Sequence, residues 1–128
     1  MSNATSASHD LTALRLYFPS GSRATRTRFW HHLNAPALAQ HLLAVAKRAN
    51  LQQALLHHVD AGYLRGERMS HHHPEVHSMR HPQCLELLDT EERLRAFMRE
   101  HAEELIKVRA VLFRCQLPLE ENAGPAAR

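Results

Sequence analysis

The stretch Ala54-Leu55-Leu56-His57-His58-Val59, followed after Asp60–Gln83 by Cys84-Leu85-Glu86-Leu87-Leu88, decides how this chain is read. Both arms are short apolar runs bounded by turn-forming residues, the pattern of buried strands. The segment between them holds Gly62, Gly66, Pro74 and Pro82, and five histidines: His71, His72, His73, His77 and His81. A compact domain rarely carries a connection longer than about 12–15 residues unless that connection has a job or lacks fixed structure. Two paired arms around a loop of this length make the loop the first place to look for function.

Outward from this unit, the pattern repeats on both sides. Leu11–Phe18 alternates, with Leu14, Leu16 and Phe18 on one face and Ala13, Arg15 and Tyr17 on the other, and Pro19 and Gly21 end the strand. Ser20–Leu33 is a basic connection with Arg23, Arg26 and Arg28. It is either a solvated crossover anchored by Phe29 and Trp30, or a set of guanidinium groups gripping phosphate or carboxylate at a cleft. Asn34 suits a helix N-cap with Pro36 in the first turn, and Leu38, Leu42, Leu43, Val45, Ala46 and Ala49 form an apolar stripe beside which His41 packs. Asn50 suits the helix end. After Leu88, Asp89 or Thr90 caps a second helix opened by Glu91 and Glu92, with Leu94, Phe97, Met98 and Leu105 as its apolar face. Val108–Gln116 is the last strand, with Val108, Ala110 and Leu112 facing one way and Val111 and Phe113 the other.

The order β-α-β-β-α-β predicts an α+β, ferredoxin-like sandwich: a four-stranded antiparallel sheet with two helices on one face. Residues 1–10 read as a disordered tail, 11–118 as the domain with its long loop at 60–83, and 119–128 as a second polar tail. Leu and Val occur on both faces of several strands, so the face opposite the helices also needs cover. Another copy of the chain is the simplest cover, and a symmetric homo-oligomer is expected.

Composition excludes several classes. The 128 residues suffice for one core, and 44% are apolar, so the core can be packed. No apolar run approaches the ~20 residues of a membrane span, and the N-terminal residues lack the apolar region of a signal peptide. A cytoplasmic protein is expected, recruited to the membrane, if at all, by a partner. Cys84 and Cys115 fall in apolar runs and are expected as buried thiols without a disulfide. Lys and Arg exceed Asp and Glu by 3, and Lys47 and Lys107 are the two lysines, so arginine supplies most of the positive charge. Its planar fork suits an anionic partner. With 5% aromatic residues and no recognition motif, nucleic acid is not expected as that partner. Neither a nucleophile elbow, a P-loop nor a zinc hydrolase motif occurs, and an enzyme is not expected.

At Gly62-Tyr63, and again at Leu85-Glu86-Leu87-Leu88-Asp89-Thr90-Glu91-Glu92-Arg93-Leu94, the chain resembles the PII superfamily, closest to its uncharacterised PII-like branch. The family commonly has Gly-Phe/Tyr-Gly at its loop base and Val-Glu-Ile-Val-Asp-Ser/Thr-Glu-Glu-Lys-Ile at the strand-to-helix passage. The resemblance spans roughly Leu11–Leu117. It implies a homotrimer that binds small effectors in clefts between subunits, and a long T-loop that contacts a membrane transporter or enzyme. Two departures stand out. Leu64 occupies the place of the third loop-base glycine. Glu103-Glu104-Leu105-Ile106-Lys107 replaces the Gly- and Lys-rich phosphate loop of nitrogen-regulatory PII proteins. Few backbone N–H groups can then converge on a triphosphate, which favours a smaller anion or a mononucleotide held by arginine.

The expected effector site is Gly62, Tyr63, Arg65, Arg109 and Arg114, for an adenine nucleotide or bicarbonate. The expected partner-binding residues of the loop are Arg68, His72, Glu75 and Met79. The implied role is regulation of a partner, and an inorganic-carbon transporter is the one the resemblance suggests. The alternative is a metal-binding trimer like the divalent-cation-tolerance proteins, using His71, His73 and His77; His71 and His73 share a side of an extended chain.

Overall fold

The computed structural model describes residues 11–25, 35–76 and 78–119. The expectations for both tails through Asp10 and from Glu120, for Arg26, Arg28, Phe29, Trp30 and Asn34, and for His77 lie outside them.

The elements are β1 (Leu11–Pro19), α1 (Leu38–Arg48), β2 (Gln53–His58), β3 (Ala61–Gly62), β4 (Ser70–His71), β5 (Pro82–Asp89), α2 (Glu91–Glu100) and β6 (Arg109–Cys115). Four strands form one sheet in the order β2-β5-β1-β6, with every neighbouring pair antiparallel. The two arms of the opening stretch do pair, Leu56 opposite Leu85 and Ala54 opposite Leu87. Strands β3 and β4 make a separate two-stranded ribbon within the long connection. Setting that ribbon aside, the architecture is α+β and compatible with a ferredoxin-like plan.

Alternation sets the core. Leu14 and Leu16 of β1 lie opposite Leu87 and Leu85 of β5, and all four are sealed from solvent. They share one cluster with Phe18, with Leu38, Leu42, Val45 and Ala46 of α1, and with Leu94 and Phe97 of α2. Both helices therefore cover the same face of the sheet. No helix among the described residues is long and apolar enough to cross a membrane.

The helix ends differ in how they are closed. Helix α1 begins at Leu38, after Ala37, with no side-chain cap. Pro36 is not in its first turn: it belongs to a short bridge in which Ala24 N–H donates to the Pro36 carbonyl at 2.9 Å and Leu38 N–H donates to Ser22 at 2.9 Å. That pairing satisfies the first helical N–H, so a capping side chain is unnecessary. At the other end Asn50 adopts φ 59°. Asn50 N–H donates to Lys47 and Leu51 N–H to Ala46, the two bonds of a Schellman closure.

Helix α2 is capped by Thr90, whose hydroxyl accepts from Arg93 N–H at 3.2 Å. It ends at Glu100, earlier than the apolar spacing suggested. Leu105, expected on its apolar face, lies in the run of turns at 101–107, yet still packs on the core.

Asp89 joins the two helices. Its carboxylate, 1% exposed, accepts from Thr90 N–H (2.7 Å), Gln52 N–H (2.9 Å) and the Arg93 guanidinium (2.9 Å). Arg93 also donates to the carbonyls of Ala49 and Asn50 at the end of α1.

The opposite face of the sheet is open. Register places three rows of side chains there: Gln53, Leu88, Ala13 and Phe113; Leu55, Glu86, Arg15 and Val111; His57, Cys84, Tyr17 and Arg109. Leu55 is 46% exposed and Phe113 41%. In the middle row Arg15 Nε donates to Glu86 at 2.8 Å, and His57 lies 3.5 Å from the same carboxylate. The Arg15 guanidinium also lies 5.1 Å from the centre of the Phe113 ring. Arg15 holds the Glu86 carboxyl below the usual carboxylate range, with His57 adding to the effect. Cys84, on this face, is a buried free thiol whose pKa is raised by burial, whereas Cys115 is half-buried rather than fully enclosed.

Candidate functional site

The long connection proves to be built rather than structureless. From Val59 the chain enters the ribbon, where Ala61 pairs with His71 and Gly62 with Ser70. At the far end Glu67 N–H donates to Leu64 C=O at 2.9 Å. Gly66, at φ 82°, stands third in this four-residue turn, where a side chain would be strained. Arg65 is thereby fixed at the second position.

The returning arm is strapped to the end of β1. Ser20 N–H donates to His81 C=O at 2.8 Å, Gly21 N–H to Met79 C=O at 2.8 Å, and the Ser20 hydroxyl to Ser78 C=O at 2.9 Å. His81 is the latch of the loop base. Its Nε2 donates to the Val59 carbonyl, which can only accept, and its Nδ1 lies 2.8 Å from the Ser70 hydroxyl. One imidazole thus ties β2, β4 and β5 together.

Between the ribbon turn, the end of β1 and the start of β6 is a cleft of about 250 Å³ lined by Tyr17, Pro19, Leu64, Arg65, Glu67, Lys107 and Arg109. Arg65 comes from the ribbon turn and Arg109 from the first position of β6, beside its register partner Tyr17. Lys107 lies two residues before Arg109. Among the described residues no ion pair joins Arg65, Lys107 or Arg109 to a carboxylate. The one carboxylate of the lining, Glu67, is paired with Arg80 at 3.2 Å. The cleft therefore carries uncompensated positive charge beside an apolar wall of Leu64, Pro19 and the Tyr17 ring. Chemically it suits an anion. Tyr17 and Arg109 belong to the open sheet face, so the cleft lies at the margin of that face.

Of the five residues expected to form the effector site, Arg65 and Arg109 meet here. Gly62 and Tyr63 do not line the cleft: Gly62 is a ladder residue of β3, and Tyr63 projects into solvent, 62% exposed. Arg114 is separated from it altogether. Five residues along a strand amount to roughly 17 Å, and an odd number of steps turns a side chain to the other face. Arg114 instead lies 4.0 Å from Glu91, beside a cavity of about 480 Å³ lined by Leu11, Thr12, Thr90, Glu91, Glu92, Arg114 and Cys115. Two glutamates make that cavity unfavourable for an anion.

Sequence reading missed Lys107, Tyr17 and Pro19. Lys107 lies in the turns before β6, where strand alternation does not reach. The approach of Pro19 and Tyr17 needed the loop's path.

The loop residues expected to meet a partner, Arg68, His72, Glu75 and Met79, are all exposed. His71 and His73 are exposed too, and His73 Nδ1 accepts from Glu75 N–H at 3.1 Å. Among the described residues no group of three His, Cys, Asp or Glu side chains is arranged to hold a metal ion. No protein-family model matches the chain, and no curated protein sequence matches it.

Proposed function

We propose that this chain is a regulatory binding module. A small anionic effector, an adenine nucleotide or bicarbonate, occupies the cleft formed by Arg65, Lys107 and Arg109. The chain works as a homotrimer whose open sheet faces meet, so that the cleft at the margin of the face is completed by a neighbouring copy. The loop at 60–83 then reports occupancy to a partner, for which an inorganic-carbon transporter is the reading that the PII-like resemblance favours. An effector that pins Arg65 fixes the ribbon turn relative to β6, and the partner meets one loop arrangement in preference to others.

The observation that carries this reading is the convergence of three cations, none of them ion-paired among the described residues, on one cleft beside the ribbon turn. The half-exposed Leu55 and Phe113 support assembly through the open face. The alternative reading, a metal-handling trimer, rests on His71 and His73, both exposed, with its expected third ligand His77 outside the described residues.

Calorimetry with AMP, ADP, ATP, cyclic nucleotides and bicarbonate tests the reading. At least one should bind, and Arg109→Ala should weaken it by roughly tenfold or more, the usual effect of losing a hydrogen bond to a charged group. Silence from every compound would remove the effector site.

A further inference from the structure

The tip of the ribbon has properties that effector binding does not use. Continuing its register past the pairs Ala61–His71 and Gly62–Ser70 brings Tyr63 and Met69 to the next cross-strand position. They are 62% and 58% exposed. Arg65 and Arg68, between them in sequence, are exposed as well. Seven residues, Tyr63–Met69, thus hold two large apolar side chains and two guanidinium groups in water. The only carboxylate of this stretch, Glu67, is engaged by Arg80 at 3.2 Å. Farther along the loop, Val76 and Met79 are 65% and 62% exposed.

Single apolar residues on a surface need no explanation. Apolar side chains interleaved with arginines on the exposed side of one turn do, and they fit the boundary of a bilayer. There the apolar groups enter the acyl edge while the cations meet anionic headgroups. A nucleic acid would satisfy the arginines but offer nothing to methionine and valine.

We propose that the ribbon tip, Tyr63–Met69, docks directly on an anionic lipid surface. His71, His72 and His73 follow the tip and are exposed. Asp60 C=O accepts from His72 N–H, Glu75 N–H donates to His73, and the His81 ring lies 6.3 Å from that of His72. The docking needs Tyr63, Arg68 and Met69 but neither Lys107 nor Arg109, so it stands or falls apart from the effector reading.

The test is co-sedimentation of the full chain with vesicles of phosphatidylcholine, with and without phosphatidylglycerol. Binding is expected only with phosphatidylglycerol. Arg68→Gln should weaken it roughly fivefold. The double variant Tyr63→Ser, Met69→Ser should weaken it roughly tenfold or more without changing the melting temperature. Arg109→Ala should leave it unchanged. Absence of phosphatidylglycerol-dependent binding would overturn the proposal. So would binding undiminished in the double variant, or DNA retention that needs Arg68 but not Tyr63 and Met69, which would mark a polyanion surface instead.

Discussion

Gly21 shows how closely a single residue can hold the loop. A Cβ at this position would lie 2.6 Å from Met79 Cβ and 2.9 Å from the Met79 carbonyl oxygen. Gly21→Ala must therefore push the returning arm off β1, at a cost of about 1–3 kcal/mol. The amides of residues 20 and 21 should exchange with solvent faster than in the parent, while those of β5 stay protected. Asp89 is a second such point. Asp89→Ala leaves the inner guanidinium of Arg93 and two backbone N–H groups without their acceptor, and should cost about 3 kcal/mol in urea unfolding. Asp89→Asn, which keeps one acceptor oxygen, should cost less. His101 gives a pH signature. Burial, the largest influence, holds its pKa below the ordinary value, and its ring packs 4.6 Å from that of Phe97. The unfolded chain takes up this proton first as pH falls below about 6.5. Stability is then lost from that point downward. Comparing urea midpoints at about pH 7.5 and about pH 5.5, His101→Phe should show a smaller acid-side loss than the parent.

At the level of elements, the main sheet was legible and the connection was not. Period-two alternation at Leu14, Leu16 and Phe18, and at Leu85 and Leu87, marks which face is buried, and the structure seals those residues. The start of α1 was harder, whereas Thr90 caps α2 as its residue type suggested. Helix α1 begins without a capping side chain because a backbone bridge at Ser22–Ala24 takes its place, and no local residue pattern announces a bridge formed across that separation. The Arg65–Arg109 half of the site was legible from residue type. Arg114 lies apart from that pair within the chain because an odd number of steps from Arg109 turns it to the other side of β6. The strap at Ser20–Gly21 and the His81 latch depend on how the loop returns, which composition does not encode. The open face yields the prediction that belongs to this scale. Phe113→Glu lies on an edge strand already 41% exposed, so it should barely change monomer stability while preventing association through that face. Sedimentation velocity together with a thermal melt separates the two effects.

For the whole molecule, the two faces of one sheet divide the work. The helix-covered face supplies the core, and the other combines apolar side chains with an Arg15–Glu86–His57 group at its centre. The cationic cleft lies at the margin of that second face, against the ribbon turn. If copies meet there, effector site, loop base and subunit contact become neighbours, which is the geometry regulation requires. Light scattering on the purified chain tests this most directly. The account predicts a particle of three times 14.6 kDa, reduced to the single-chain mass by Phe113→Glu. A parent protein that remains at 14.6 kDa at working concentrations would contradict it.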